Sequence, residues 1–452
     1  MKYLFSDKKF LRTMIRLATP IMLQNLIFSS LGLVDGLMIG QLGEKAVAAV
    51  GIANQVFFLV SLLFFGITSG TAIFTAQYWG NKDIPRIQSV LGFSLLMSVA
   101  GALIFSSIAI LFPGKVMSIY TTDVSVISQG SKYLQVIALS YVLTAITNSF
   151  SVALRSTENV KLPMLISFLA LSLNTLLNFA LILGNFGFPA LGVVGAAIAT
   201  VVSRLVETGL LLFIIYRRKL PVAAKITALL NYKILSLGQF FKTTLPVIAT
   251  EITWSFGITT YNVVYARIGT ESIAAVNIAG TLDQLIFVVF IGLGNACAIM
   301  IGNQIGAGEE NTATDYGKKF MIMGIFGAAI FGIIMVALAN PLLTLYKVTP
   351  VTVDFTYRLL IIMAASLPIR SLNLIILIGI LRSGGDTRYA FFIDAGVIWT
   401  VGVPLAFLGG FVLNLPIYLV YLMVMTDEVV KLALGLYRFF SQRWIHSLTV
   451  PA

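Results

Sequence analysis

The sequence predicts an all-α polytopic membrane protein with twelve transmembrane helices, arranged as two parallel-repeat six-helix bundles. Three observations predict this class. The 452-residue chain has a mean hydropathy of +0.96, with 58% hydrophobic and only 11% charged residues, a composition far from that of soluble domains. Its apolar runs are long enough to cross a bilayer, and its two halves repeat each other.

The apolar runs define the individual spans. A helix needs about 20 mostly apolar residues to cross about 30 Å of hydrocarbon. Runs of that size recur near residues 14–39, 47–76, 89–112, 124–154, 162–183, 192–216, 243–268, 272–302, 319–340, 353–381, 389–410 and 416–437. We therefore expect twelve helices, six in each half of the chain.

The internal repeat fixes how the two halves are related. Residues 20–80 align with residues 246–306 at a constant offset of 226, without a gap, and fourteen of the 61 positions are identical. The identical pairs include Pro20 with Pro246, Gly43 with Gly269, and Ala48-Ala49-Val50 with Ala274-Ala275-Val276. Six spans is an even number, so both copies enter the membrane from the same side and form parallel repeats.

The basic residues predict the domain boundaries and the topology. The longest polar connection predicts a cytoplasmic linker at residues 217–242, between bundles at 1–216 and 243–452. With the N-terminus inside, 22 of the 30 lysines and arginines fall in cytoplasmic segments. The positive-inside rule then places both termini in the cytoplasm, with the protein in the plasma membrane, here the cytoplasmic membrane of a bacterium. The net charge of +12 has the same origin, and without a basic domain with interleaved aromatics it indicates no nucleic-acid partner.

Several classes of chemistry are excluded. The chain has one cysteine, Cys297, and one histidine, His446, so it can form no intrachain disulfide and offers no zinc site or histidine relay. It contains neither a GxxxxGK[ST] nucleotide loop nor a closely spaced aspartate pair of the kind that holds Mg²⁺ in membrane transferases. We expect no enzymatic activity and no cofactor.

Acidic residues inside predicted spans are functional candidates, because a charge at the bilayer centre costs about 2.5 kcal/mol or more. They are Asp35, Glu207, Glu251, Asp283 and Asp394. Asp35 lies 15 residues beyond Pro20, or about 22 Å along the helix, in the outer half of the membrane. Glycines surround it and admit neighbouring helices or water. It is either a carboxylate that binds and releases a cation or a buried acid held by adjacent helices.

Amides of the fifth span are the expected partners of Asp35. Asn174 and Asn178 are four residues apart and therefore share a helix face, and Thr200 of the sixth span adds a hydroxyl. Together these residues predict a cation site for ion coupling, although a packing role for the amides is also open. No metal other than Na⁺ at Asp35 is expected.

The second copy carries different chemistry. Glu251, which the repeat aligns with Asn25, forms a second candidate ion or substrate site with Asp283 and Arg370. Arg370 has no acid three or four residues away, so its partner must come from another helix, either Glu251 or Asp283. We expect structural roles for an Arg204 to Glu207 pair and for Asp394 near interfacial water. Pro20 and Pro246 each remove a helical hydrogen bond and are expected to permit bending.

Several segments resemble the multidrug and toxic compound extrusion (MATE) family. They are Thr19-Pro20 to Asp35-Gly36, Gly40, Gly43, Ala48-Ala49-Val50-Gly51, Leu154-Arg155-Ser156-Thr157 before Pro163, GVVGAAIAT at 192–200, and Leu381-Arg382-Ser383-Gly384-Gly385-Asp386-Thr387. The resemblance implies two bundles around a cleft, which export small organic compounds, cationic or amphipathic, against inward H⁺ or Na⁺. We expect a monomer in the lipid bilayer.

Within that family the chain is closer to DinF-like than to NorM-like members. Asp35 matches the first-helix aspartate of DinF-like members, and Pro20, Asn174 and Thr200 match residues around it. Asn178 stands where some archaeal members carry a second aspartate. Ser371 occupies the place of the helix-ten acid of NorM-like members, so their cation site does not transfer intact. A flippase of lipid-linked oligosaccharides is the alternative function, but it would require several basic residues around its cavity.

The topology can be tested by labelling. A cysteine added at the C-terminus is expected to resist an impermeant maleimide in intact cells and to react once the membrane is permeabilised. Ready labelling in intact cells would overturn the cytoplasmic placement of the C-terminus.

Overall fold

The computed structural model describes residues 7–232, 237–344, 346 and 348–449. Helices make up most of this part of the chain, which contains no strand beyond one isolated bridge between Gly385 and Ile445. The predicted all-α polytopic class is confirmed.

Contacts divide the described residues into two compact units. The N-terminal unit is Leu23–Phe240, and the C-terminal unit joins the residues up to Met22 to those from Phe241 onward. The first helix of the chain therefore contributes to both units. The predicted boundaries at residues 216 and 243 stay a prediction.

The first half of the chain contains nine helices within the described residues. They are α1 (Lys8–Gly40), α2 (Glu44–Gly80), α3 (Ile84–Leu111), α4 (Pro113–Ser118), α5 (Val124–Ile137), α6 (Leu139–Ser156), α7 (Lys161–Leu183), α8 (Gly192–Arg217) and α9 (Ile226–Leu229). Pro20 lies inside α1, and the helix is continuous through it. The bending expected there stays a prediction.

The second half contains seven helices within the described residues. They are α10 (Leu237–Ile268), α11 (Thr270–Gly306), α12 (Glu310–Leu343), α13 (Pro350–Arg382), α14 (Thr387–Val412), α15 (Ile417–Val424) and α16 (Thr426–Phe440). The last eight residues of α13 are π-helical, and α14 alternates α and π turns. Pro246 lies inside the continuous helix α10.

Among the described residues, nine helices are long and apolar enough to cross a membrane, and the bent pair α5 and α6 makes a tenth span. The sequence predicts one span at 124–154, but the helix bends there by 44°. At the break, the Ser106 hydroxyl of α3 donates to the Ala138 carbonyl at 2.7 Å, and the same carbonyl accepts from the Tyr141 amide at 3.2 Å.

The two remaining predicted spans are also helical but more polar. Residues 243–268 lie in α10, and residues 416–437 lie in α15 and α16, which are separated at Met425. The polarity of α16 comes from Asp427, Glu428 and Lys431, and the lysine pairs with both acids. Helices thus occupy all twelve predicted positions.

Small residues allow close helix packing in the N-terminal unit. Gly195, in the GVVGAAIAT segment of α8, faces the backbone of α7, and a β-carbon there would overlap the Leu181 carbonyl. The amide of Leu191 donates to the same carbonyl at 2.8 Å. This contact fixes the position of α8 beside α7, and both helices carry residues of the candidate site.

Replacing Gly195 with alanine is therefore expected to destabilise the protein, by about 1–3 kcal/mol for an overpacked contact. Gly209→Ala is the matched control, because Gly209 lies on the same helix and an added methyl group there would have nothing within 4 Å. Thermal unfolding in detergent can be followed by dye labelling of Cys297, which is fully buried. Equal unfolding temperatures for the two variants would contradict the packing account.

Candidate functional site

Asp35 is the centre of a hydrogen-bonded cluster in the N-terminal unit. Its Oδ1 accepts from Asn178 Nδ2 at 2.7 Å, and Asn178 Nδ2 also donates to Asn174 Oδ1 at 3.3 Å. Asn174 Nδ2 in turn donates to Thr200 Oγ1 at 3.3 Å. The four residues that the sequence predicts as an ion-coupling site therefore form one network across α1, α7 and α8. Their role in coupling stays a prediction.

Two hydrogen bonds set the register between α1 and α7. Gln24 Nε2 donates to Ser167 Oγ at 3.0 Å, and Asp35 pairs with Asn178 eleven residues further along both helices. Eleven residues correspond to about 16 Å of helix, so the two helices run side by side for three turns. The first bond fixes α1 beside α7, and the second holds the carboxylate of Asp35 against Asn178.

A second buried acid lies on α8. Glu207 accepts from Arg204 Nη1 at 2.6 Å and from Ser167 Oγ at 2.8 Å, so the pair expected at i, i+3 is present. The Arg204 guanidinium also lies 5.9 Å from the centre of the Phe28 ring on α1. Gln24, Ser167, Glu207 and Arg204 form a second polar chain beside the Asp35 cluster.

Two cavities meet at Asp35. The larger, of about 610 Å³, has a largely apolar wall that includes Val47, Val50, Phe57, Phe58 and Tyr133, and its volume is in the range of drug-sized binding sites. The smaller, of about 70 Å³, is lined by Asp35, Ala170, Leu171, Asn174, Thr200, Ser203, Arg204 and Glu207. We call the larger the main cavity and the smaller the polar chamber.

Asp35 differs from the other intramembrane acids in its partners. Within the described part of the chain, no lysine or arginine forms an ion pair with Asp35, whereas Glu207 has Arg204. An amide hydrogen bond leaves the carboxylate's full negative charge facing the cavity. The site therefore has the chemistry to bind a proton, a small cation or a cationic organic molecule.

The second candidate site is divided between two ion pairs in the C-terminal unit. Arg370 donates to both carboxylate oxygens of Asp283 at 2.8 Å and lies 4.8 Å from the Phe287 ring centre. Of the two partners that the sequence leaves open for Arg370, the structure shows Asp283. Glu251 pairs with Arg382 at 2.9 Å instead. The Asp283 and Arg370 pair is charge-balanced, whereas Arg382 is shared between Glu251 and Asp394.

Asp394 and two basic residues differ from the sequence prediction. Asp394 contacts Arg382 at 3.8 Å and Lys431 at 3.5 Å, so it belongs to a buried ionic network rather than to a water-exposed edge. Arg382 and Lys431, which the positive-inside count assigns to cytoplasmic segments, are both only 3% exposed. Their side chains point into the unit because the surrounding acids neutralise them.

Sequence reasoning missed two acids of this network. Asp427 and Glu428 lie 3.4 and 3.2 Å from Lys431 Nζ, and Tyr261 donates to Asp427 at 3.1 Å. The signal was available, because Asp-Glu-x-x-Lys inside the predicted span 416–437 places acids at i−4 and i−3 of a lysine. The repeat aligns Tyr261 with Asp35, so the two units carry a phenol and a carboxylate at equivalent positions.

The fold and the intramembrane polar site define the chain as a multi-pass membrane transporter. The MatE family model matches residues 20–180 and 246–408, more than half of the chain, and its two segments begin at Pro20 and Pro246, which the internal repeat aligns. The chain therefore belongs to the MatE family, whose members are transporters and not enzymes.

Relatives and solved structures agree over almost the whole length. A "Probable multidrug resistance protein NorM" of Thermotoga maritima is 25% identical over 96% of this chain and 93% of its own. A "Probable multidrug resistance protein YoeA" of Bacillus subtilis is 27% identical over 88% of this chain and 86% of its own. A crystal structure of a MATE protein in complex with MaL6 superposes with a TM-score of 0.86 at 19% identity, covering 98% of both chains. A crystal structure of a MATE transporter of Vibrio cholerae superposes with a TM-score of 0.85 at 17% identity, also covering 98% of both chains.

The buried network around Lys431 generates a stability prediction. Lys431→Gln leaves Asp394, Asp427 and Glu428 with less positive charge, so we expect a loss of about 3 kcal/mol or more, typical of a broken buried pair. Lys318→Gln, at an exposed lysine, is the control. Thermal unfolding followed at Cys297 compares them, and an unchanged unfolding temperature for Lys431→Gln would show that the network does not stabilise the unit.

Proposed function

We propose that this protein exports organic compounds, cationic or amphipathic, by antiport with H⁺ or Na⁺ across the cytoplasmic membrane of a bacterium. It acts as a monomer with both termini in the cytoplasm. The observation that carries the proposal is the position of Asp35, an acid without a basic partner among the described residues, on the wall of the main cavity. The names of the NorM and YoeA relatives support multidrug export.

Mutual exclusion at Asp35 explains antiport. An ionised carboxylate in a largely apolar cavity is unfavourable, and either a coupling ion or a cationic substrate relieves it. One carboxylate cannot accept both at full strength, so binding of one favours release of the other. If the coupling ion and the substrate bind to Asp35 from opposite sides of the membrane, this exchange couples their movements. Inward movement of one cation yields about 2.3 kcal/mol per 100 mV.

The hydrogen bonds around Asp35 suit this exchange. Asn178 donates to the carboxylate, and the Asn178 Oδ1 atom is buried without a protein partner, so it is available to a cation bound beside Asp35. Amide and hydroxyl oxygens of Asn174 and Thr200 lie one bond further along the network. These are oxygen ligands of the kind that Na⁺ accepts, and they also stabilise a bound proton through hydrogen bonding.

The ion pairs and hydrogen bonds of the candidate residues in the C-terminal unit favour the DinF-like subtype. Asp283 and Glu251 each form an ion pair with an arginine, whereas Asp35 accepts a hydrogen bond from an amide. Ser371, in place of the NorM-like acid, donates to backbone carbonyls of Gly324 and Pro368 at 3.3 and 3.0 Å. We therefore assign ion coupling to the N-terminal unit and leave Glu251, Asp283 and Arg370 a supporting role in that cycle.

The flippase alternative has less support. A lipid pyrophosphate would require several cationic side chains on the cavity wall. Among the described residues that line the main cavity and the polar chamber, Arg204 is the one cation, and Glu207 already neutralises it. An anionic headgroup would also meet the negative charge of Asp35.

Asp35→Asn is the direct test. In proteoliposomes with ΔpH and ΔNa⁺ imposed separately, we expect the variant to lose ion-driven efflux of ethidium, because a neutral amide cannot exchange charge. Asp123→Asn is the control, since Asp123 is an exposed helix cap whose capping asparagine can reproduce. Normal efflux by a correctly folded Asp35→Asn protein would refute the assignment of coupling to Asp35.

A further inference from the structure

We propose that Arg204 is a tethered internal cation that competes with the coupling ion for Asp35, and that Glu207 holds it away. This inference rests on the proposed function of Asp35 and adds a regulatory pair to it. Arg204 and Asp35 line both the main cavity and the polar chamber, whereas Glu207 lines the chamber only. The guanidinium is thus bonded to one acid while it shares two cavities with the other.

The charge count of the chamber carries the argument. Its wall contains two carboxylates, Asp35 and Glu207, and one guanidinium, Arg204. With all three ionised the chamber has one net negative charge, which a single monovalent cation neutralises. Removing Glu207 would leave one acid and one base, and the chamber would then be neutral without any bound ion.

The geometry shows why Glu207 keeps Arg204 in its present place. Arg204 Nη1 lies 2.6 Å from Glu207 Oε2, one helical turn away on α8. Ser167 of α7 donates to the other oxygen of Glu207 at 2.8 Å, and Gln24 of α1 donates to Ser167. Glu207 is therefore fixed by three helices, and Arg204 is held by a fixed acid. Its side chain remains 21% exposed, which leaves room for it to turn.

The groups that face Asp35 contain few competing charges. Of the described residues around the two cavities, α5 supplies Tyr133, α8 supplies Arg204 and Glu207, and the contributions of α2 and α7 are uncharged. The polar chamber has space for about two water molecules. Ser203, 4% exposed, lines it with a hydroxyl that has no protein partner, so water or a small cation in the chamber would find a ligand there.

Neutral variants of Arg204 and Glu207 distinguish competition for Asp35 from a purely structural role of the ion pair. Glu207→Gln frees Arg204 to pair with Asp35, and we expect ion-driven ethidium efflux and ethidium binding each to fall roughly tenfold or more, the effect of about 1.4 kcal/mol. The double variant Arg204→Gln with Glu207→Gln restores one net negative charge. We expect it to recover efflux to within about threefold of the unmodified protein.

A pH profile gives a second readout that packing alone would not move. Arg204→Gln leaves two carboxylates without a cation, so protons bind more readily and the pH for half-maximal efflux should rise. In Glu207→Gln the same midpoint should fall, because Arg204 competes with the proton. Folding of every variant is checked by its Cys297 unfolding temperature.

Three results decide the proposal. The proposal is supported if the double variant recovers efflux and if the pH for half-maximal efflux rises in Arg204→Gln and falls in Glu207→Gln. A double variant that is folded but as inactive as Glu207→Gln overturns it, since Glu207 would then be required for itself. Asp35→Asn with normal ion-driven efflux would instead refute the proposed function, so the two failures are distinguishable.

Discussion

The structure depends on how each intramembrane charge is neutralised. A charge in the hydrocarbon region needs a partner or it costs several kcal/mol, and in both units buried acids meet basic side chains. Glu207 meets Arg204, Asp283 meets Arg370, and Glu251 meets Arg382. Asp35 has an amide donor where these acids have a cation. In the proposed function, that difference makes Asp35 the acid to which an external cation binds.

The two copies of the repeat use the same frame for different purposes. The constant offset of 226 places Tyr261 opposite Asp35 and Glu251 opposite Asn25. In the C-terminal unit the phenol of Tyr261 donates to Asp427, which belongs to a network held by Lys431 and Arg382. This network joins α10, α13, α14 and α16, and removing one of its basic members leaves buried acids without a cation.

Much of the fold could be predicted from composition and periodicity, because span length depends on local apolar runs. The cluster of Asp35, Asn174, Asn178 and Thr200 was also predictable, since helical spacing placed the two amides on one face. The choice between two possible partners of one arginine was not predictable. Arg370 and Asp283 are 87 residues apart, and nothing in either helix chooses Asp283 over Glu251. The hydrogen bond from Ser106 to the Ala138 carbonyl, at the bend, likewise joins residues 32 positions apart.

Cation displacement on substrate binding tests the central claim most directly. Ethidium can be titrated into purified protein by calorimetry, in buffers of different ionisation enthalpy to count released protons and at several Na⁺ concentrations to detect competition. The account predicts that one cation, H⁺ or Na⁺, leaves for each ethidium bound to the unmodified protein, and that Asp35→Asn binds ethidium weakly without displacing either. Equal displacement by the two proteins, or none by the unmodified protein, would contradict it.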